Sequence, residues 1–305
     1  MVDHRDPSKV SRRPEDLASA TESTSATTGR GGVSGLRTGL AALDEVTTGL
    51  HPGKLFVVAA RSSMGKTSLG THIAAHVAID LHRPVFFASL EMPAVGIVER
   101  IVCNRARLNI KRFRAGQLTR DEGVRYMSAM DAVGRAPLRV DDTPAATLMQ
   151  VRTRARRMRA KHGDLAAVIV DYLQLMRSGA NQSSRELEVA DISRGLKALA
   201  MELGCPVIVL AQLNRGVETR SAKDKRPHLS DIRESGSIEQ DADTVCLVYR
   251  DEVYDPGTRD PGVAELILAK HRNGPTCTVR TRYIAECAAF ADLHGGSAAS
   301  ELADA

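Results

Sequence analysis

The chain has 305 residues, of which 43% are hydrophobic and 26% are charged, the balance of an ordinary globular protein. Its formal net charge of +5 permits a nucleic-acid partner but suits an ordinary soluble protein equally well. Five Phe, five Tyr and no Trp leave too few aromatic rings for a sheet that stacks bases on its surface.

The five cysteines form no C-x-x-C pair, so we predict reduced, mostly buried thiols and no zinc site. The longest aliphatic runs, such as residues 165–170, are far too short to cross a bilayer. The basic residues near the N-terminus are not followed by the apolar segment of a signal peptide. We therefore expect a cytoplasmic protein that makes no membrane contact.

The chain begins with a polar segment, residues 1–34, which has few aliphatic residues and no aromatic one. Such a segment buries too little surface to offset the entropy of ordering it, so we predict a disordered arm. Within it, a proline followed by a glutamate suits the first turn of a short helix over residues 14–20. We place one domain over residues 35–293 and predict a flexible tail over residues 294–305.

Between these ends, apolar runs alternate with helical stretches. Residues 55–60, 165–170 and 206–211 are apolar throughout, as strands covered on both faces are. The candidate strands are residues 55–60, 85–90, 137–140, 165–170, 206–211, 244–249, 263–269 and 277–284. Strands that alternate with helices predict an α/β fold, with a mostly parallel twisted sheet and helices on both of its faces.

Residues 59–70, AARSSMGKTSLG, come close to the phosphate-binding pattern G-x-x-x-x-G-K-[ST], with Ala60 in the place of the first glycine. An apolar strand leads into the segment, and apolar residues at helical spacing follow it. Strand, loop and helix in this order direct backbone N–H groups at phosphate. Because alanine at the first position loses little conformational freedom, we favour a phosphate-binding loop over a chance Gly-Lys-Thr at a helix start.

In this interpretation the Lys66 ammonium lies against the β- and γ-phosphates, and the Thr67 hydroxyl binds Mg²⁺. Gly65 allows the backbone to approach the phosphates closely. The predicted nucleotide-binding residues are Ala60, Arg61, Ser62, Ser63, Met64, Gly65, Lys66, Thr67 and Ser68.

Three polar residues stand where candidate strands end: Asp171, Glu91 and Gln212. The carboxyl ends of parallel strands face the crevice in which α/β sheets bind ligands. We expect Asp171 to reach Mg²⁺ through water, although a strand-ending Asp that caps the next turn is the alternative. Glu91 is placed to orient or deprotonate the attacking water. Gln212 offers both a donor and an acceptor near the γ-phosphate.

The chain contains, in this order, the segments AARSSMGKT, SLEMP, VDYLQLM, AQLNR, LSDIRESGSIEQDAD, YRDE and KHRNGP. Together they closely resemble the C-terminal RecA-like motor domain of the DnaB-type replicative helicases. The preceding GLRTGLAALDEVTTGL, residues 35–50, is similar to the segment that opens this domain. The resemblance implies a RecA-like P-loop NTPase fold over residues 35–293, in a family that often has alanine at the first loop position.

The resemblance also implies an ATP hydrolase and DNA helicase that acts in DNA replication with ATP and Mg²⁺ as cofactors. It implies movement on single-stranded DNA by a homo-oligomeric ring, a hexamer whose assembly nucleotide or DNA promotes. The implied roles are phosphate binding for Lys66, Mg²⁺ binding for Thr67 and, through water, Asp171, general-base catalysis for Glu91, γ-phosphate sensing for Gln212, and a finger into the neighbouring subunit's ATP site for Lys270 and Arg272.

Residues 214–236 are rich in basic residues and contain no aromatic one. This composition suits a grip on the backbone of a single strand without base reading. The resemblance implies that Arg233, Glu234 and Gly236 line the central pore and contact DNA; without it, a surface loop is the alternative. Ser237 begins an S-x-x-Q pattern, which predicts a capping box for the next helix.

Full-length members of the family carry a globular N-terminal domain, which forms a collar on the ring and binds the primase. Here about 34 polar residues precede the motor, so we expect no collar. Primase recruitment and a stable hexamer would then lack their usual support. The alternative function is a RecA-like regulatory or recombination-accessory ATPase that switches assembly state without unwinding. The basic, aromatic-free segment and KHRNGP favour the helicase.

Overall fold

The computed structural model describes residues 32–177, 184–220, 225–232 and 236–293. Most of the arm predicted over residues 1–34, with its short helix, lies outside the described residues, as do the tail over residues 294–305 and the predicted DNA contacts Arg233 and Glu234. Among the described helices, none combines the length and the apolar composition that a membrane-spanning helix needs.

Within the described ranges the strands are β1 (Leu55–Ala60), β2 (Val85–Ser89), β3 (Leu138–Asp141), β4 (Ala167–Asp171), β5 (Val207–Gln212), β6 (Thr244–Tyr249), β7 (Val263–His271), β8 (Cys277–Ile284) and β9 (Ala289–Asp292). They form one sheet in the order β3-β2-β4-β5-β1-β6-β7-β8-β9. The first six strands in this order run parallel, and the last three pair antiparallel. The predicted α/β fold with a mostly parallel sheet is confirmed.

The described α-helices are α1 (Ala41–Thr47), α2 (Lys66–Ala75), α3 (Ala94–Ala106), α4 (Ile110–Arg114), α5 (Arg120–Arg135), α6 (Leu148–His162), α7 (Arg185–Leu203), α8 (Gly216–Thr219) and α9 (Gly236–Asp241). They cover both faces of the sheet, which is why the central strand β1 is buried along its whole length. Phe56 and Val58 pack on the face covered by α2. Leu55 and Val57 alternate with them and pack on the face covered by α6 and α7.

The eight candidate strands are all present, with ends that shift by up to two residues. β4, for example, starts at Ala167, because Ala167 is where pairing with β2 begins. β9 was not predicted, since only a short run marks it. The predicted capping box is wrong: α9 begins at Gly236, so Ser237 lies within its first turn rather than before it.

All five cysteines are free, and four of them are buried. Burial raises the pKa of Cys205 and of Cys246 to about 12. Thiols with such a raised pKa carry almost no thiolate at neutral pH and are poor nucleophiles and metal ligands. These cysteines therefore act as small apolar side chains in the core.

Candidate nucleotide-binding site

The predicted phosphate-binding loop connects β1, which ends at Ala60, to α2, which begins at Lys66. Gly65 has a φ of 105°, a conformation that favours glycine. A Cβ on Gly65 would lie 3.1 Å from Tyr283 Cε2 and 3.2 Å from Phe290 Cζ, so the loop is pressed against two rings of β8 and β9. Ala60 is an ordinary strand residue, which explains why the first position of the pattern accepts alanine.

Lys66 is the centre of a charged cluster at the carboxyl end of the sheet. Its Nζ lies 3.3 Å from Asp171 Oδ1, 3.7 Å from Glu91 Oε2 and 3.9 Å from the centroid of the Tyr172 ring. The Thr67 hydroxyl donates to Asp171 Oδ2 at 2.7 Å. Asp171 is fully buried, and its Oδ1 faces Lys66 but accepts no hydrogen bond from the described residues. An ammonium, a hydroxyl and a carboxylate oxygen with spare capacity fit a nucleotide phosphate with Mg²⁺.

Gln212 is the last residue of β5 and lies beside this cluster. Its Nε2 donates to the Ser62 hydroxyl at 3.2 Å, so the side chain already lies against the loop. The Gln174 side chain fixes the Gln212 backbone: its Oε1 accepts from Gln212 N at 3.1 Å, and its Nε2 donates to Gln212 O at 3.3 Å. We did not predict this role for Gln174, although it stands in the quoted VDYLQLM segment.

The loop borders a cleft with a volume of about 310 Å³, lined also by Glu91, Arg100, Gln212 and Tyr283. Arg100 was not predicted. Its Nε is buried and has no hydrogen-bond partner among the described residues. Met64 differs from the other predicted nucleotide-binding residues, because its side chain is buried in the core rather than facing the cleft.

Two arginines, Arg250 and Arg61, connect the loop to neighbouring elements by hydrogen bonds. The Arg250 guanidinium donates to Ser63 O at 3.0 Å and stacks at 3.9 Å from the centroid of the Tyr283 ring. Arg61, a predicted nucleotide-binding residue, donates to Leu213 O at 2.7 Å and to Glu218 Oε1 at 2.6 Å. These contacts tie the loop to the residue after β6 and to the segment after β5, and they leave the Arg61 guanidinium bonded to Leu213 and Glu218.

Lys270 and Arg272 do not line this cleft. Arg272 N donates to Asp243 O at 2.9 Å, and the Asp243 carboxylate accepts from Leu55 N at 2.8 Å, so this turn lies at the start of β1. The cleft lies at the other end of β1, beside Ala60. A six-residue strand spans roughly 17 Å, at about 3.3 Å per residue. Neither side chain is therefore placed to complete the cleft of its own chain.

Of the predicted DNA contacts, only Gly236 is described, and it is exposed at the start of α9. Two basic residues of the same segment already have acidic partners. Arg220 pairs with Asp231, and Arg226 pairs with Glu265 at 2.7 Å. The charge that this segment offers to a nucleic acid is thus smaller than its composition indicates.

The parallel sheet, the loop from β1 into α2 and the polar residues at the ends of β4 and β5 define a RecA-like P-loop ATPase domain. More specifically, the family model of the DnaB-like helicase C terminal domain matches residues 35–292, and the chain belongs to this family.

The chain is 46% identical over 271 residues to the replicative DNA helicase DnaB of Pasteurella multocida, covering 88% of this chain and 58% of that protein. It is 43% identical over 265 residues to the replicative DNA helicase DnaC of Bacillus subtilis, covering 87% and 58%. The chain thus spans a little over half the length of these relatives.

Two solved structures are similar in fold. One is an ATPase domain with a TM-score of 0.86 and 33% identity, covering 92% of this chain and 98% of that one. The other is a DnaB-like replicative helicase, whose structure was described together with its interactions with primase. It has a TM-score of 0.84 and 32% identity, covering 94% of this chain and 68% of that one.

Proposed function

We propose that this chain is the motor of an ATP-driven helicase that moves on single-stranded DNA as a homo-oligomeric ring. The convergence of Lys66, Thr67, Asp171, Glu91 and Gln212 on one cleft carries this proposal. These residues come from three strand ends and the loop, and only their joint placement serves phosphoryl transfer. Family membership supports the helicase over other ATP-dependent activities.

In the proposed reaction, Lys66 leaves its two carboxylate partners and binds the β- and γ-phosphates of ATP. Thr67 and Asp171 would hold Mg²⁺, which neutralises charge on the phosphates when bound. Glu91 has a half-exposed side chain, so it can accept the proton of the water that attacks the γ-phosphate. Gln212, held by Gln174, is placed to bond the γ-phosphate and to lose that bond after hydrolysis.

The position of Lys270 and Arg272 supports the proposed ring. They lie at the end of β1 opposite the cleft, so a finger role requires the cleft of a neighbouring copy. A guanidinium inserted there neutralises charge on the transferring phosphoryl group. We propose that DNA passes the segment around Arg233, Glu234 and Gly236, and that the contact is with phosphates rather than bases.

The test is ATP turnover by the 305-residue chain with and without single-stranded DNA. We expect turnover that DNA stimulates, and loss of turnover in Lys66→Ala. Lys161→Ala serves as a control, because it removes an exposed lysine on α6, outside the loop.

Turnover that is the same with and without DNA would instead favour a regulatory RecA-like ATPase. Hydrolysis that survives Lys66→Ala would show that the loop is not the nucleotide site. Strand displacement on a forked duplex then separates unwinding from movement on DNA alone.

A further inference from the structure

Asp243 lies directly before β6, under the turn that carries Arg272. Its carboxylate accepts from Leu55 N at 2.8 Å and from Lys197 Nζ at 2.6 Å, and Lys54 Nζ lies 3.5 Å away. On the Arg272 side, Asp243 O accepts from Arg272 N at 2.9 Å, and Asp243 Oδ1 lies 4.0 Å from a guanidinium nitrogen. Asp243 thus binds the backbone of the candidate finger and lies at the outer limit of ion-pair distance from its side chain.

The Asp243 carboxylate is only 7% exposed, so it acts on its neighbours with little solvent screening. Burial raises its pKa, but the Lys197 hydrogen bond, the bond from Leu55 N and the charge of Lys54 together hold the pKa below its ordinary value. The carboxylate is therefore ionised at neutral pH. Because Leu55 N of β1 and Lys197 of α7 both donate to this carboxylate, its position is fixed relative to β1 and α7.

The other side of the Arg272 turn is held by α9. A guanidinium nitrogen of Arg272 donates to Gln240 O, and Lys270 Nζ donates to Glu239 O. Free carbonyls at a helix C-terminus attract cations. Arg272 is thus held between a helix end and a buried carboxylate, although its own side chain is 46% exposed.

We propose that Asp243 is a positioning residue for the Arg272 finger. Through its carbonyl and its carboxylate it fixes the direction in which Arg272 leaves the sheet, and so the geometry with which the guanidinium enters a neighbouring cleft. The inference rests on the proposed function, because it needs a finger that acts in trans. Catalytic groups must be held within about 0.5 Å of their productive position, and a turn residue cannot achieve that without such a support.

The plain structural alternative is that Asp243 only joins β1, β6 and α7. The two roles differ in where a defect appears. A positioning role predicts a defect in the neighbour's site, while the variant's own loop still binds ATP. A purely structural role predicts loss of fold stability and damage to both sites of the subunit.

The test uses Asp243→Asn in the full chain. Asparagine keeps the size and the backbone carbonyl but removes the charge that attracts Arg272. We expect DNA-stimulated kcat to fall about 10-fold to 100-fold, less than the roughly 10³-fold or more expected for losing the finger, with the KM for ATP nearly unchanged. The double variant Asp243→Asn/Arg272→Ala should be no slower than Arg272→Ala, because residues that act as a unit are not additive.

ATP hydrolysis by mixtures of two variants separates the positioning role from a purely structural one. Asp243→Asn subunits keep a working loop, and Lys66→Ala subunits keep a working finger. Mixed rings should therefore hydrolyse more ATP than either variant alone. Asp44→Asn is the matched control. Asp44 lies in α1, and its carboxylate is also buried and accepts a hydrogen bond from Thr38 N at 2.8 Å. It should lower the melting temperature without a gain on mixing.

The outcomes are distinguishable. If Arg272→Ala keeps full turnover, the trans finger of the proposed function is wrong. If Arg272→Ala is slow but Asp243→Asn turns over like the unsubstituted chain, or if the two losses multiply in the double variant, the positioning role is wrong and the proposed function stands. Where Asp243→Asn does not fold, Asp243→Glu keeps the charge and moves it by one methylene; a normal kcat in that variant also overturns the positioning role.

Discussion

Glu91 and Asp171 are both carboxylates beside Lys66, but they differ in solvent exposure and are therefore suited to different chemical roles. Asp171 is fully buried and fixed by the Thr67 hydroxyl, as a group that holds a cation must be. The Glu91 side chain is 50% exposed and stands 3.7 Å from Lys66 Nζ, so water can reach it. We therefore propose proton transfer for Glu91 and cation binding for Asp171.

Glu91→Gln tests this division. The amide keeps the shape of the side chain but cannot accept the proton, so ATP turnover should fall by about 10²-fold or more while ATP affinity stays within a few-fold. Single-turnover hydrolysis and equilibrium nucleotide binding measure the two quantities. Glu99→Gln, which changes an α3 carboxylate paired with Arg114, is the control and should keep its turnover. Near-normal turnover in Glu91→Gln would show that another group is the base.

His72 makes the stability of the fold depend on pH. Burial lowers its pKa from 6.5 to about 4, and its Nε2 is buried with no hydrogen-bond partner among the residues that the structure describes. Between these two pH values the unfolded chain binds a proton that the folded chain does not. The free energy of unfolding should therefore decrease as pH falls from 6.5 towards 4.

Urea denaturation across this range should show that slope, and His72→Gln should make it shallower. His162→Gln changes an exposed histidine at the end of α6 and is the comparison variant. An unchanged slope in His72→Gln would show that other groups set the acid sensitivity of the fold.

At the scale of elements, residues of β8 and β9 and the residue after β6 contact the loop and fix its shape. Arg250 follows β6 and binds Ser63 O, while Tyr283 of β8 and Phe290 of β9 pack against Gly65. Composition and local pattern predicted the loop, its strand and its helix, because those signals lie within a few residues of each other. The supports could not be predicted in the same way, since Arg250 and Ser63 are 187 positions apart.

The order of the strands was not predictable for the same reason. Apolar runs indicate that a strand exists and that both of its faces are covered, but the pairing of β1 with β5 and β6 depends on crossovers through whole helices. The strand ends were predicted well enough to bring Asp171 and Gln212 to one edge. Gln174 was missed, because only the fold shows that a residue after β4 reaches the end of β5.

Gly65→Ala tests whether the packing of the loop, and not only its chemistry, governs nucleotide binding. An alanine there combines a left-handed φ with a Cβ 3.1 Å from the Tyr283 ring, so the loop or the ring must shift by a few tenths of an ångström. We expect ATP affinity to fall at least about tenfold, with a stability loss of roughly 1–2 kcal/mol.

Gly116→Ala is the matched control, because Gly116 also has a positive φ of 68° but nothing lies within 4 Å of its Cβ position. It should show a comparable loss of stability, measured by thermal denaturation, and an unchanged ATP affinity. Equal affinities in the two variants would mean that the contact with Tyr283 and Phe290 does not shape the loop.

At the scale of the whole molecule, the candidate nucleotide cleft and the candidate finger lie at opposite ends of the same strand. The cleft is at the carboxyl end of β1, and the Arg272 turn is at its amino end, next to α9. Since α9 begins at Gly236 and its Glu239 and Gln240 carbonyls accept from Lys270 and Arg272, we propose that a displacement of the proposed DNA segment changes the contacts of both side chains. We propose that one subunit in this way couples its DNA contact to hydrolysis in its neighbour.

This arrangement predicts how DNA binding responds to salt. A grip on phosphates releases counterions, so log affinity should fall linearly with log salt, with a slope of about −0.7 for each phosphate contacted on a single strand. Affinity should be nearly the same for strands of different sequence. Because Arg220 and Arg226 are already paired with acids, we expect Arg233 to carry more of the DNA contact than they do.

Arg233→Glu should therefore weaken DNA binding, flatten the salt slope and reduce DNA-stimulated turnover, while basal hydrolysis changes little. Arg139→Glu is the control, because it reverses an exposed charge on the edge strand β3, away from both functional regions. Fluorescence anisotropy of labelled strands over a salt series gives the slope for each variant. Binding that ignores salt, or that selects strongly among sequences, would contradict a phosphate grip. A loss in Arg139→Glu as large as in Arg233→Glu would mean that the overall charge of the chain, and not the segment before α9, attracts the DNA.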